Sequence, residues 1–267
     1  MKFDELESQL RDINCSNEAI ALAINSGKRT LDFPRKDEKQ SLEDGVVIAA
    51  RLYDMFHGLT GRNILDIGCG SPEQQITYHT QTDGFPTDIA RTLAFAGANV
   101  DGIDIGRSFS KQPYNHIVAD LTRQRIADVV PNGRNYDCAI STWFFDSPCL
   151  KFDCTNGYDK GKIVFAKDIC TQVYDLLKPN GIFIIGQSDL IAKMEEHPEN
   201  LVRKEGESHE EWGERFVHDH TTQHEILKLS RFRKMPGELP AVITSGDLKD
   251  YPKAWWGLSF WQKQEEK

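Results

Sequence analysis

No uninterrupted apolar run in these 267 residues approaches the roughly 18 needed to cross a bilayer, so no membrane span is expected. The amino terminus, Met1-Lys2-Phe3-Asp4-Glu5-Leu6-Glu7, is acidic with no apolar region behind it, so no secretory signal is expected. Excess positive charge is lacking too: the net charge of −9 argues against phosphate-backbone binding as the main activity. The one local cationic cluster, Lys228 with Arg231, Arg233 and Lys234, reads as the carboxyl end of a helix. Paired cysteines are also missing. The six are scattered, only Cys149 and Cys154 lie close, and no second pair completes a metal site. Reduced thiols, a cytoplasmic setting and no bound metal are expected. No internal repeat or low-complexity tract interrupts the chain.

What is present fits a globular enzyme. Apolar residues make up 39% of the chain and charged ones 27%, enough for a core and a solvated surface. The most informative stretch is Asn63-Ile64-Leu65-Asp66-Ile67-Gly68-Cys69-Gly70-Ser71, a short buried strand running into a glycine-rich turn. Asp66 interrupts the apolar run, and a buried carboxylate is costly without a polar partner. Gly68 and Gly70 permit the turn and let a ligand approach the backbone. These features describe a nucleotide-type crevice at the carboxyl end of a strand.

The next strand narrows the ligand. A helix from Thr87 to Ala96, ended by Gly97, leads into Asn99-Val100-Asp101-Gly102-Ile103-Asp104-Ile105. Asp104 falls at the carboxyl tip, where an acidic side chain can accept from both ribose hydroxyls. A dinucleotide turn needs a third glycine, and Glu73 occupies that place. A nicotinamide or flavin cofactor is therefore the weaker reading.

Around this core, Phe3 to Leu10 and Ala19 to Ile24 read as short helices and Leu42 to Met55 as a longer one, with Ser41 and Asp44 in capping-box spacing. Arg29 to Lys39 is charged and reads as a linker. Tyr136 to Ser141 is a strand, followed by a helix from about Gly161 to Leu177, a turn at Lys178-Pro179-Asn180-Gly181, and a strand at Ile182 to Gly186. Pro240 to Ser245 and Ala254 to Gln262 read as a closing antiparallel pair whose register the imperfect alternation leaves open. Alternating strands and helices imply a doubly wound, mainly parallel α/β sheet.

In order along the chain, Leu65-Asp66-Ile67-Gly68-Cys69-Gly70, Gly102-Ile103-Asp104-Ile105, Ala119-Asp120-Leu121, Tyr136-Asp137-Cys138-Ala139-Ile140-Ser141 and Leu176-Leu177-Lys178-Pro179-Asn180-Gly181 resemble the class I S-adenosylmethionine-dependent methyltransferases. The resemblance covers roughly residues 60–190 and points to no subfamily. It implies a Rossmann-like sheet of seven strands with the last antiparallel, formed by residues 59–267, behind a helical segment at 1–58. It also implies the cofactor contacts. Asp66, Gly68, Cys69 and Gly70 would border the methionine part and Asp104 the ribose. Ile105 would lie against adenine, Asp120 would accept from its amino group, and Leu121 would donate its amide. Ser141 and Thr142 would close the site.

One departure from the family's pattern is an excursion of about fifteen residues at 71–86 between the glycine turn and its helix, expected to form part of the substrate-facing rim. A second polar stretch, 189–220, is expected to form helices over the crevice. On the acceptor side, Trp143-Phe144-Phe145-Asp146 follows the fourth strand, and Asp146 is the first candidate to orient or deprotonate a substrate group. His218, Asp219, His220 and His224 form a second cluster. His220 is the candidate base there, although a solvated run before the helix signalled by Thr222 and Glu225 is the plainer reading. The expected activity is methyl transfer to an O or N nucleophile of a small molecule. The alternatives are a protein methyltransferase, with 189–220 as docking surface, and a non-catalytic cofactor-binding module.

Overall fold

The computed structural model describes residues 3–32, 40–71, 87–108, 111–142, 144, 158–186, 231–235, 239–240 and 257–264. Two compact units make up the chain, Met1–Leu121 and Thr122–Lys267. No helix among the described residues is long and apolar enough to cross a membrane.

The first unit begins with α1 (Phe3–Asp12), α2 (Asn17–Leu31) and α3 (Gln40–Phe56). α2 runs well past the short helix expected there and absorbs the first residues of the charged stretch read as linker. Its buried positions explain the length: Ile20, Ala23, Ile24, Gly27 and Thr30 recur at helical spacing, so one continuous stripe faces inward. The helix starts at Ser16, whose hydroxyl accepts from the Ala19 amide at 3.2 Å. That hydroxyl also donates to Asp54 Oδ1 at 2.5 Å, and the Ser16 amide donates to Asp54 Oδ2 at 2.9 Å. The first turn of α2 is thereby pinned to the last turn of α3.

α3 packs against both α2 and α4 (Asp88–Phe95). Leu42, Val46, Val47, Ile48 and Leu52 are all buried, each contributing about 1.5–3 kcal/mol of apolar burial. A helix flanked on two sides is apolar over more of its circumference than a surface helix. That accounts for the breadth of the apolar face seen in the sequence.

Three parallel strands complete this unit: β1 (Asn63–Ile67), β2 (Asn99–Asp104) and β3 (Asn115–Val118). Asn63 pairs with Asn99 and Ile67 with Ile103, while Asp104 pairs with Val118. Parallel pairing in this register brings the carboxyl ends of the strands together.

The second unit holds α5 (Ile126–Val129), β4 (Tyr136–Ser141), α6 (Tyr158–Leu176), β5 (Leu177–Gly186), β6 (Phe232–Lys234), β7 (Leu239–Pro240) and β8 (Gly257–Lys263). β4 and β5 are parallel, and β8 enters antiparallel between β5 and β6. The expected turn at residues 178–181 survives as an irregularity within β5. Tyr136 pairs with Leu177 but Cys138 with Ile182, so the intervening residues leave the ladder, with Asn180 at φ 59°.

The register left open by the sequence is set here: Phe183 pairs with Trp261 and Ile185 with Ser259. Phe260 and Trp261 are both buried although they are consecutive and face opposite sides. A strand covered on both faces loses the alternation that a half-exposed strand shows.

Of the strand expected at Pro240 to Ser245 only β7, Leu239–Pro240, falls among the described residues, and 241–245 lie outside them. The cationic stretch read as a helix end contributes β6, where Phe232 is buried and Arg233 exposed. Three residues are too few for a period-2 signal to stand out from their charge. The architecture is the α/β, Rossmann-like class with an antiparallel last strand. Its ordered run is β3-β2-β1 in the first unit and β4-β5-β8-β6 in the second, with two-residue β7 added on β8.

Candidate functional site

The glycine turn after β1 is built as its composition requires. Gly68 and Gly70 lie at φ 75° and 86°, in the left-handed region where a side chain is strained. The Gly68 and Cys69 amides both donate to the Ile103 carbonyl, at 2.8 and 3.0 Å, so the turn is tied to the end of β2. Across this junction stands Asp104. Its Oδ2 accepts from the Gly70 amide at 3.1 Å and its Oδ1 from the Gly106 amide at 2.7 Å. One carboxylate therefore holds the two loops that follow β1 and β2.

Asp66 behaves differently. It is 2% exposed, and no described residue donates a hydrogen bond to it. Burial, reinforced by the nearby Asp104 charge, pushes its pKa up to about 7. Asp104 is raised as well by burial, an effect opposed by the hydrogen bonds from the Gly106 and Gly70 amides. Two buried carboxylates thus stand near the ends of β1 and β2, one of them without a donor among the described residues.

Structural surroundings that sequence reasoning missed complete this half of the site. Cys69, Tyr114 and His116 cluster beneath the turn. The Cys69 sulfur lies 3.9 Å from the Tyr114 hydroxyl and 3.7 Å from His116 Nδ1. Burial raises the Cys69 thiol well above its ordinary range, so it is an inert thiol here. Gly102 makes room for the cluster, since a Cβ there would stand 2.8 Å from both the Cys69 sulfur and the Tyr114 ring. The available sequence signal was Tyr114-x-His116, one side chain just before β3 and one within it, where His116 pairs with Gly102. Ser71 donates to the Arg107 carbonyl at 2.5 Å, a second tie between the loops.

The remaining expected contacts fall as follows. Ile105, next to Asp104, is 44% exposed. Asp120 and Leu121 follow β3 directly, where the Ala119 amide donates to the Asp104 carbonyl at 2.9 Å. The first unit thus brings Asp66, Gly68, Cys69, Gly70, Asp104, Ile105, Asp120 and Leu121 to the carboxyl ends of its strands. In the second unit, Ser141 and Thr142 are buried at the end of β4 and the start of the chain beyond it. Ser141 Oγ has no hydrogen-bond partner among the described residues. Phe144 stacks obliquely on Phe165 of α6, ring centroids 5.8 Å apart. Asp146, His220, residues 72–86 of the excursion, and 189–220 lie outside the described residues, as do Cys149 and Cys154.

The chain matches no family model and no curated protein. It does resemble solved structures. The structure of a putative hemolysin from Streptococcus thermophilus superposes with a TM-score of 0.50 at 11% identity, over 86% of this chain and 70% of that one. The N-methyltransferase NodS from Bradyrhizobium japonicum, in complex with S-adenosyl-L-homocysteine, gives 0.47 at 12% identity, over 91% and 99%. A TehB-like SAM-dependent methyltransferase from Corynebacterium glutamicum gives 0.42 at 18% identity, over 80% and 86%. The first of these shows the fold. The chemistry has to be argued from the residues.

Proposed function

We propose that this chain is an S-adenosylmethionine-dependent methyltransferase acting on an O or N nucleophile of a small molecule in a cytoplasmic setting. The observation that carries the reading is the carboxylate pair around the glycine elbow. Asp66 is buried, lacks a donor among the described residues and is raised to about 7, while Asp104 is already oriented by two amides. Bound there, S-adenosylmethionine supplies a methyl group made electrophilic by its sulfonium.

The protein's own residues then have separate tasks. Asp66 accepts from the ammonium, a donor that no described residue supplies. Asp104 keeps lone pairs free beyond its two amide bonds and accepts from the ribose hydroxyls. Gly68, Cys69 and Gly70 let the backbone approach the methionine part, and exposed Ile105 covers the adenine face. Asp120 and Leu121 pair with the adenine edge. Ser141, whose hydroxyl has no partner among the described residues, and Thr142 keep the part the family resemblance gives them. On the acceptor side Asp146 orients or deprotonates the substrate, with His220 as an additional base. The main demand on these groups is alignment of the nucleophile at roughly 3 Å.

Calorimetric titration with S-adenosylmethionine and S-adenosylhomocysteine, followed by labelled-methyl transfer across a metabolite panel, tests the reading. Binding with turnover on a small molecule supports it. Binding with transfer only to protein redirects it to a protein acceptor. Absence of binding removes it.

A further inference from the structure

The Tyr114–His116 pair has a hydrogen-bond order that its acceptors dictate. His116 Nε2 lies 2.9 Å from the Gly106 carbonyl, and a carbonyl can only accept. Nε2 therefore carries the proton. In the neutral ring Nδ1 is then the acceptor, and the Tyr114 hydroxyl, 3.2 Å away, is its donor. Burial holds the Tyr114 phenol well above its ordinary pKa, so the hydroxyl keeps its proton. The chain Tyr114 Oη–H to His116 Nδ1, and His116 Nε2–H to Gly106 O, runs in one direction.

Gly106 is gripped from both sides. Its carbonyl receives His116, and its amide donates to Asp104 Oδ1 at 2.7 Å. It also sits against Ser71, where a Cβ would come within 2.5 Å of the serine Cβ. The direction in which the Gly106 amide points fixes the Asp104 carboxylate, and His116 fixes Gly106. β3 supplies the leverage: His116 pairs with Gly102, two residues before Asp104, so the imidazole spans from the middle of β2 to the loop beyond it.

We propose that His116, locked in its Nε2-protonated tautomer by the Tyr114 hydroxyl, is a positioning residue that holds the loop after β2 and thereby presents Asp104 to the cofactor ribose. This rests on the proposed cofactor site. It predicts that the imidazole acts on cofactor affinity only through Asp104, without touching the ligand. Such second-layer partners orient the groups that do the binding, much as they orient metal ligands.

The test uses the full-length chain and S-adenosylhomocysteine in titration calorimetry. His116→Phe, which keeps the ring volume but cannot donate, should weaken binding roughly tenfold, the scale of one lost buried hydrogen bond. His116→Gln, whose amide can still reach the Gly106 carbonyl, should stay close to wild type. Tyr114→Phe should fall between them. In an Asp104→Asn background, His116→Phe should add little, because the route to the ligand is already cut. Nitrogen-15 spectra of the wild-type imidazole, recorded without ligand, should show Nδ1 unprotonated and Nε2 protonated. Equal affinity of His116→Phe and wild type overturns the inference while leaving the cofactor reading intact. So does additivity in the double variant, or an Nδ1-protonated ring. If His116→Phe does not fold, Tyr114→Phe and the wild-type spectrum decide by themselves. Failure of the wild-type chain to bind overturns the cofactor reading and this inference together.

Discussion

Asp66 makes cofactor affinity depend on pH in a calculable way. In the free protein its carboxyl is raised to about 7 by burial and by Asp104. An ammonium brought against it favours the ionised form and lowers a carboxyl by about 1–3 units, here taken as about 2. Binding then requires a proton to leave. Between pH 7 and pH 6 the ionised fraction of the free protein falls from about a half to about a tenth, whereas the bound form stays about nine-tenths ionised. The dissociation constant should therefore rise about fivefold, or ~1 kcal/mol, over that single unit.

Calorimetry at pH 6 in two buffers of different ionisation enthalpy should count about 0.8 proton released per ligand bound. Asp66→Asn cannot titrate, so its affinity should be weaker at pH 7 and nearly flat down to pH 6. The titratable groups that interact electrostatically with this carboxyl include Asp104, Cys69 and Tyr114. Asp104 is also raised, so a shallow residual slope in the variant would belong to it. A wild-type affinity independent of pH, with no proton released, would refute the placement of a cation at Asp66. A slope identical in wild type and Asp66→Asn would assign the titration to another group.

Other expectations follow from the same geometry. Asp104→Ala should weaken S-adenosylmethionine binding by roughly 1–3 kcal/mol, since it removes the ribose acceptor and leaves the Gly70 and Gly106 amides unpaired; titration calorimetry measures it. Asp146→Asn should lower turnover at nearly unchanged cofactor affinity, read from steady-state kinetics beside calorimetry. Gly102→Ala should cost about 1–3 kcal/mol in denaturant unfolding, because the new methyl meets the Cys69 sulfur and the Tyr114 ring at 2.8 Å. Unliganded protein should also melt at lower temperature as pH rises from about 4 to 7. Asp66, Glu43 and Asp44 are all raised to about 7 by burial, so across that window the folded chain holds protons that the unfolded chain has released. Asp66→Asn should flatten part of that slope in calorimetric scans.

Much of the strand–turn core was readable in the primary structure because its signals are local. Ile64-Leu65-Asp66-Ile67 followed by two glycines describes a buried strand and a turn within eight residues, and the turn's φ values are those that only glycine adopts without strain. The start of α4 was legible for a similar reason, since Thr87 occupies the N-cap position read for it, whereas Ser16 before α2 was not read as a start and Ser41 falls inside α3. Where length mattered, local signals fell short. α2 continues beyond its apparent end because α3 and α4 cover it, and β6 is too short to carry a period of its own.

Residue types and their order along the chain placed Asp66 one residue before the end of one strand and Asp104 at the end of the next, beside a glycine turn. That follows because strand termini and turns are set by a few adjacent residues. Only the tertiary structure decided how those carboxylates differ. Asp104 is held by amides from two loops, Asp66 stands buried without a described donor, and His116 reaches from β3 to brace Gly106. Each of these relations joins segments far apart in sequence. Burial and hydrogen-bond direction, which give the carboxylates their unequal chemistry, exist only once the strands are paired.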